Sequence, residues 1–198
     1  MCAASFGLSL PVLSQEYPTK PIRLIVPFPP GGGTDILARL VGQKLTASMG
    51  QQVIVDNRPG AGGSLGAEIA VKSSPDGYVL VLVSASYAVN ASLHKLAFDP
   101  LQDLVPIAHV ASVAFVLIAH PSLAAGNVKE LIALAQSKPG QINYASTGNG
   151  SAPHLAGELF TMMTHTKMTH VPYKGGSPAM ADLMGGQVQL LFSTVVQA

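Results

Sequence analysis

The sequence is poor in cysteine, in charge and in long apolar runs, and each shortage narrows what the protein can be. Its one cysteine, Cys2, allows no internal disulfide. Charged residues make up 11% of the chain, the formal net charge is +1, and the eleven Lys and Arg are scattered rather than clustered. No run reaches the roughly 18 apolar residues of a membrane span. The sequence therefore argues against nucleic acid as a partner and against a membrane-embedded chain.

The first fifteen residues, MCAASFGLSLPVLSQ, are uncharged and rich in small and apolar side chains. Small residues before Gln15 suit signal-peptidase cleavage, while the basic start of a complete export signal is missing. We interpret residues 1–15 as the remnant of a signal peptide. A disordered N-terminus is the alternative.

The rest of the chain alternates between strand-like and helix-like segments. Short β-branched runs such as IRLIVPF and QQVIVDN alternate with segments whose apolar residues recur at helical spacing. This alternation predicts an α/β fold with mainly parallel sheets and flanking helices. The run VPIAHVASVAFVLIAHP is long for one strand and indicates two strands end to end. Asn127 with Glu130, and Ser177 with Pro178, predict two helix starts.

One unit recurs three times: a strand, a glycine-rich loop and a helix. The loops contain Gly31–Gly33, Gly60–Gly63 and Gly148–Gly150, with Gly62 as a candidate ligand contact. A helix start carries unpaired N–H groups and a partial positive charge, and glycine lets a ligand come close to them. Ligands of open α/β sheets sit at the carboxyl ends of the strands. If the three loops converge, they form a cage of N–H donors for an anion.

A small carboxylate suits these loops better than a phosphate. PPGGGTD lacks the Gly-Lys-Ser/Thr of a P-loop, and Asp35 would repel a phosphate, while GAGGSLG has the wrong spacing for a dinucleotide fingerprint. No nucleotide or other cofactor is therefore expected. Asp35 has two interpretations, either a favourable partner of the helix dipole or a group that accepts from a ligand ammonium, hydroxyl or water.

Two serines leave a hydrolase open as the alternative function. GGSLG matches the GxSxG pattern at Ser64, but Asn57 to Gly63 separate the strand from the serine, so we interpret Ser64 as a helix cap. Ser151 and His154 lie three residues apart, and we favour an N-cap with a first-turn histidine over a catalytic pair. None of the six histidines forms an HExxH motif, and no metal site is predicted.

Four segments carry a family resemblance, in order and in spacing from Tyr17 to Phe192: YPTKPIRLIVPFPPGGGTDILARLVGQKL, VIVDNRPGAGGSLGAEIAVKSSPDGY, INYASTGNGSAPHLAGELF and HVPYKGGSPAMADLMGGQV. Together they resemble the tripartite tricarboxylate transporter receptors, which are Bug-type periplasmic solute-binding proteins. The resemblance implies a periplasmic, non-enzymatic receptor with a two-lobed Venus-flytrap fold. A small carboxylate (a di- or tricarboxylate, an amino acid or an aromatic acid) would be held between the lobes and delivered to membrane permease subunits.

The resemblance also implies which residues face the ligand. Lobe one would contribute residues of the first Gly loop and two serines: Phe28, Gly31, Gly32, Gly33, Thr34, Asp35, Ser84 and Ser86. Lobe two would contribute Thr147, Gly148, Ser151 and His154. Family members usually carry an aspartate after the phenylalanine of the last strand, where this chain has Ser193. Ser193 is therefore a candidate contact that lacks the carboxylate with which an aspartate would recognise a ligand amine.

The expected organisation is a leader remnant at 1–15, the first part of lobe one at 16–108, and an incomplete lobe two at 109–198. Family members continue past the equivalent of Ala198 with a segment that finishes lobe two and returns to lobe one. We therefore expect a receptor truncated at its C-terminus. A truncated product without function is a further alternative.

Overall fold

The computed structural model of the protein describes residues 16–198, so the expected leader remnant lies outside the described residues. Within this range the strands form two separate sheets, ordered β2-β1-β3 and β4-β7-β5-β6. The first sheet contains β1 (Ile22–Val26), β2 (Val53–Asn57) and β3 (Val79–Val81). The second contains β4 (Phe115–Ala119), β5 (Asn143–Ser146), β6 (Thr169–Pro172) and β7 (Leu190–Thr194). Every pairing is parallel except that of β4 with β7.

Each of the first six strands leads into a helix. The helices are α1 (Gly33–Met49), α2 (Ser64–Val71), α3 (Ser86–Leu93), α4 (Val128–Ser137), α5 (Ala152–Thr164) and α6 (Gly176–Met184). A 3-10 turn at Ala61–Gly63 precedes α2. The predicted α/β architecture with mainly parallel sheets and flanking helices is confirmed.

Each sheet has a hydrophobic core of its own. Around the first sheet, the buried Ile22, Leu24 and Val26 of β1 pack with Phe28 and Ala38. The second sheet is covered on both faces because neighbouring residues of one strand point to opposite sides. Tyr144 and Leu190 pack on the face of α4 and α5, and Ala145 and Leu191 pack on the face of α6. No residue belongs to both the first core and the cores of the second sheet.

Three local predictions have mixed outcomes. The cap at Asn127 is confirmed, since its side chain accepts a hydrogen bond from the Glu130 N–H at 3.0 Å. The cap at Ser177 is wrong, because α6 begins at Gly176 and its N-cap is Gly175, two residues before Ser177. The cap at Ser64 is also wrong, since Ser64 is the first residue of α2 and Gly63 precedes it with positive φ.

The long apolar run forms one strand rather than two. Only β4 is regular, and residues 105–114 form neither helix nor strand. Leu101, Val105 and Ile107 are 88%, 85% and 79% exposed. A strand needs a hydrogen-bonded neighbour, and the first sheet ends at β3 with no strand on its outer edge among residues 16–198.

Nowhere in residues 16–198 does a helix combine the length and apolar character required to cross a membrane.

Two helical glycines provide a test of how tightly the second core is packed. A Cβ at Gly157 of α5 would overlap the ring of Tyr144, whereas a Cβ at Gly42 of α1 would make ordinary contact with Val53 at 3.5 Å. We expect Gly157→Ala to lower the free energy of unfolding by about 2 kcal/mol through overpacking. Gly42→Ala should raise it by up to about 1 kcal/mol, because alanine favours a helix. Urea denaturation measures both, and an equal response of the two variants would contradict the packing described.

Candidate functional site

The three glycine-rich loops meet between the two sheets. A Cβ placed on Gly63, in the second loop, would lie 3.2 Å from the ring of Phe28, in the first. A Cβ placed on Gly62 would lie 3.2 Å from the carbonyl oxygen of Asn149, in the third. The loops follow the carboxyl ends of β1, β2 and β5, which is where ligands of parallel sheets bind. The convergence expected from the sequence is therefore present.

The first loop presents an uncapped helix start. The N-cap of α1 is Gly32, which makes no side-chain capping hydrogen bond. Gly31 adopts φ 80, a left-handed conformation that glycine tolerates without strain. The first-turn N–H groups at Gly33, Thr34 and Asp35 are therefore not satisfied by a cap, and α1 directs the positive end of its dipole toward the space between the loops.

Asp35 holds this loop from within its own lobe. Its carboxylate is 2% exposed and accepts from the N–H of Gly31, the guanidinium of Arg39 and the side chain of Asn57, each at 2.9 Å. Burial alone would raise the pKa of Asp35, but the hydrogen bonds from Arg39, Gly31 and Asn57 together lower it from its ordinary value. Asp35 thus shapes the loop, and its negative charge is compensated by Arg39.

The second loop depends on a residue that sequence reasoning missed. Asn90 of α3 is 1% exposed, and its Nδ2 donates to the carbonyl oxygen of Gly62 at 2.9 Å. This bond fixes the turn in which Gly62 adopts φ 63. Asn90 belongs to no motif in the sequence, and a polar residue inside an apolar helical segment would have been the only signal.

The third loop is built on Ser146 and Ser151, which are both fully buried. Ser151 caps α5, donating to the carbonyl oxygen of Gly148 at 2.6 Å and accepting from the N–H of His154 at 3.4 Å. Ser146 accepts from the N–H of Gly148 at 3.1 Å. The hydroxyls therefore hold the Gly148–Gly150 turn in place, and Thr147 is half-buried within it.

Two stacked histidines lie beneath this loop. The rings of His154 and His170 are 4.1 Å apart, and His170 Nε2 lies 2.6 Å from the Ser146 hydroxyl. His154 Nδ1 accepts from the N–H of Gly150 at 3.2 Å. Burial and the charge of His154 lower the pKa of His170 to about 4, against an opposing effect of the Glu158 carboxylate. His170 is therefore neutral at pH 7 and acts as part of the loop's support.

The two halves of the chain touch across the loops through few polar contacts. The hydroxyl of Ser86 accepts from the N–H of Ala152 at 3.2 Å, and the hydroxyl of Ser177 donates to the carbonyl oxygen of Pro30 at 2.8 Å. These are the only hydrogen bonds between residues 16–108 and the remainder of the described chain. Ser84 lines a recess of about 10 Å³ beside Phe28 and Gly62, which is about the space of one water molecule. The loops of the two lobes are thus in direct contact through Ser86 and Ser177.

Four buried polar atoms without a hydrogen-bond partner lie at this same side of the sheets: Ser64 Oγ, Asn90 Oδ1, Thr194 Oγ1 and Gln197 Nε2. Each belongs to a helix or turn that follows a carboxyl end of a strand, or to that end itself. Ser193, the last of the predicted contacts, is 4% exposed and donates to Gln197 Oε1 at 3.3 Å. Buried polar groups in a folded core are normally satisfied, so these four atoms, found among residues 16–198, make this side of the sheets the candidate binding site.

Neither serine of the hydrolase alternative is arranged as a nucleophile. The Ser151 hydroxyl is committed to the carbonyl oxygen of Gly148, and His154 Nδ1 faces the Gly150 N–H instead of Ser151. The Ser64 hydroxyl is buried without any hydrogen-bonded base in the described part of the chain. A nucleophilic serine requires such a base.

Comparison with known proteins shows which family the chain belongs to. The family described as Tripartite tricarboxylate transporter family receptor matches residues 37–198. The chain belongs to this receptor family. BugT of Bordetella pertussis (strain Tohama I / ATCC BAA-589 / NCTC 13251) is 44% identical over 188 residues, which cover 93% of this chain and 58% of BugT. The resemblance stated from the four sequence segments is confirmed.

Solved structures of related proteins show the same fold. The periplasmic binding protein BugD is 34% identical with a TM-score of 0.87, covering 91% of this receptor chain and 60% of BugD. Rpa4515 of R. palustris, solved with adipate, is 36% identical with a TM-score of 0.87, covering 90% and 60%. MatC (Rpa3494) of Rhodopseudomonas palustris, solved with bound malate, is 30% identical with a TM-score of 0.84, covering 91% and 62%. The expected two-lobed periplasmic binding protein fold is confirmed, and this chain spans about three fifths of its relatives' length.

The Asp35 network predicts a large cost for losing one carboxylate. Asp35→Ala removes the acceptor of the Gly31 N–H and of one Asn57 N–H, while Arg39 remains half-exposed to water, so we expect the free energy of unfolding to fall by about 2 kcal/mol. Glu68→Ala is the matched control, since Glu68 also pairs with a cation four residues on, Lys72, but on an exposed surface. Its expected cost is about 0.5 kcal/mol. Similar losses in urea denaturation would contradict the anchoring role of Asp35.

The lowered pKa of His170 predicts a pH dependence of stability. The unfolded chain takes up a proton on this histidine near its ordinary pKa of 6.5, whereas the folded chain does so only near 4. Stability should therefore be full above about pH 6.5 and decrease as the pH falls toward about 4. Urea denaturation from pH 7 to 4 should show a smaller decrease in His170→Gln than in the wild type. The control His109→Gln, at an exposed position, should keep the wild-type slope, and equal slopes in all three proteins would refute the assignment.

Proposed function

We propose that this chain is the ligand-binding part of an exported receptor that holds a small carboxylate between its two lobes and delivers it to the permease subunits of a tripartite transporter. The observation that carries the proposal is the meeting of three glycine-rich loops at the uncapped start of α1. Family membership supports it, as do the relatives solved with adipate and malate, which are both dicarboxylates.

The binding energy comes from placed neutral donors. Once the lobes enclose a ligand, water no longer competes for the N–H groups in the first turns of α1 and α5. Each hydrogen bond to a carboxylate then contributes more to the binding free energy than it would in water. Asp35 does not oppose the anion, because Arg39 neutralises it at 2.9 Å. Phe28, Gly62, Ser84 and the Gly148 loop form the walls around these donors.

Ligand entry requires the lobes to separate. The recess beside Phe28, which is lined by first-lobe residues, holds about 10 Å³ and has no room for a dicarboxylate. The third loop lies directly against the second, since a Cβ on Gly62 would be 3.2 Å from the Asn149 carbonyl oxygen. Separation breaks only the Ser86–Ala152 and Ser177–Pro30 hydrogen bonds among the described residues, each of which contributes about 1 kcal/mol. When Ser86 withdraws, the N–H of Ala152 at the start of α5 becomes free for a ligand oxygen. We assign the hinge to residues 94–114, which connect α3 to β4 and include the lobe boundary expected at 108–109.

The proposed receptor acts in the periplasm and performs no chemistry on its ligand. The family and the related periplasmic binding protein BugD support the periplasmic location, and the signal-peptide remnant expected at 1–15 agrees with export. The absence of a base beside Ser64 or Ser151 in the described chain supports binding without catalysis.

Isothermal titration calorimetry against adipate, malate, succinate and glutarate tests the binding step. We expect at least one dicarboxylate to bind, and its dimethyl ester, which lacks the charge, to bind at least about tenfold more weakly. Gly62→Ala should reduce the affinity at least about tenfold, because the new Cβ would lie 3.1 Å from Asn90 Nδ2 and 3.2 Å from the Asn149 carbonyl oxygen.

Gly50→Ala is the matched control. Gly50 and Gly62 have nearly the same φ, 67 and 63, so both alanines carry the same backbone strain. Gly50 follows the end of α1 that points away from the loops, and a Cβ placed on it would have nothing within 4 Å. This variant should lose stability without losing affinity. The proposal fails if no dicarboxylate binds the wild type, or if both alanines weaken binding equally.

A further inference from the structure

The side-chain amide of Asn90 is hydrogen-bonded at its nitrogen but not at its oxygen. Nδ2 donates to the carbonyl oxygen of Gly62 at 2.9 Å, while Oδ1 is buried and has no donor in the described chain. A carbonyl oxygen can only accept, so the Asn90 side-chain atom that faces the Gly62 carbonyl must be the nitrogen, Nδ2. Oδ1 is therefore the end that remains free, although the side chain is 1% exposed.

The free oxygen lies at the junction of the two lobes. A Cβ placed on Gly150 would lie 3.1 Å from Asn90 Oδ1, and one placed on Gly62 would lie 3.2 Å from the same oxygen. Gly150 directly precedes Ser151, the N-cap of α5. An acceptor on lobe one thus sits beside the helix start on lobe two, where the proposed carboxylate would be received.

A buried acceptor without a donor destabilises the folded state, and a ligand that supplies the donor recovers that loss. A carboxylate group supplies none, because its oxygens only accept. A hydroxyl supplies one donor for this one acceptor. An ammonium brings three donors and a full charge, and the buried carboxylate of Asp35 is already taken by Gly31, Arg39 and Asn57.

We propose that Asn90 is a specificity-determining residue that selects small carboxylates with a hydroxyl on the carbon next to the carboxylate, accepting from that hydroxyl through Oδ1. The inference rests on the proposed function and narrows its ligand class to 2-hydroxycarboxylates. The same side chain has a second task, since its Nδ2 keeps the Gly62 turn in its binding conformation. Loss of the Oδ1 acceptor should weaken the binding of malate relative to succinate. Loss of support for the Gly62 turn should weaken the binding of both ligands equally.

The experiment compares the affinities of succinate, each enantiomer of malate, and L-aspartate by calorimetry. Wild-type protein should bind one malate enantiomer about tenfold more tightly than succinate, which is the effect of one added hydrogen bond in a closed site. L-Aspartate should not exceed succinate. In Asn90→Ala the ratio of malate to succinate affinity should fall to about one, because the acceptor is gone.

Gly63→Ala separates selectivity from loop support. A Cβ on Gly63 disturbs the same turn because it would lie 3.2 Å from the ring of Phe28, and its nearest atoms belong to Phe28 and Pro27 rather than to Asn90. Both ligands should therefore weaken while the wild-type ratio persists. A purely structural Asn90 would instead give an unchanged ratio in Asn90→Ala, and this would overturn the inference. Equal wild-type affinities for malate and succinate, or tighter binding of L-aspartate than of malate, would overturn it without any variant. These outcomes leave the proposed function intact. A wild type that binds adipate or glutarate but none of these four ligands overturns the inference alone, whereas a wild type that binds no dicarboxylate removes both proposals.

Discussion

The buried carboxylate of Asp35 fixes the geometry on which the binding site depends. It reaches back to the N–H of Gly31 and sideways to Arg39 and Asn57, so the first loop is tied to α1 and to the end of β2 at once. A glycine-rich loop without such ties would sample many conformations, and ordering it on binding would oppose affinity. Because the ties come from within one lobe, the donors of α1 stay arranged whether the lobes are open or closed.

The polar seam between the lobes contrasts with their cores. Each lobe buries its apolar residues in cores of its own, whereas the lobes meet mainly through glycine backbone, serine hydroxyls and Asn90, together with Pro29 beside Gly175 and Leu93 beside Gly150. Burial of a large apolar surface makes a contact between domains permanent, and the small apolar contact at this seam allows the lobes to separate. The contacts that hold the third loop also come from one lobe only, since the His154–His170 stack and Ser146 belong to lobe two.

The local parts of this structure were predictable from sequence, and the long-range parts were not. A glycine run between a strand and a helix indicates a turn through its local backbone freedom alone, without any contact from distant residues. The three loops and their positions at the ends of strands could therefore be predicted. Ser177 was mistaken for a cap because its hydroxyl serves Pro30, which lies 147 residues away. Asn90 was missed for the same reason, since Gly62 becomes its partner only after folding. VPIAHVASVAFVLIAHP has the composition of a strand throughout, but a strand requires a neighbour, and only β4 finds one, in β7.

The outer edge of β3, which has no paired strand among residues 16–198, also affects how the protein behaves in solution. The chain that leaves this lobe adds the exposed Leu101, Val105 and Ile107, and the stretch from 101 to 114 carries Asp103 as its one formal charge and Pro106 as its one proline. Charges and prolines are the usual protection of free strands against pairing with another chain. With so little of either, self-association should grow steeply with concentration, and dilute samples with additives that shield apolar surface would keep single chains in solution.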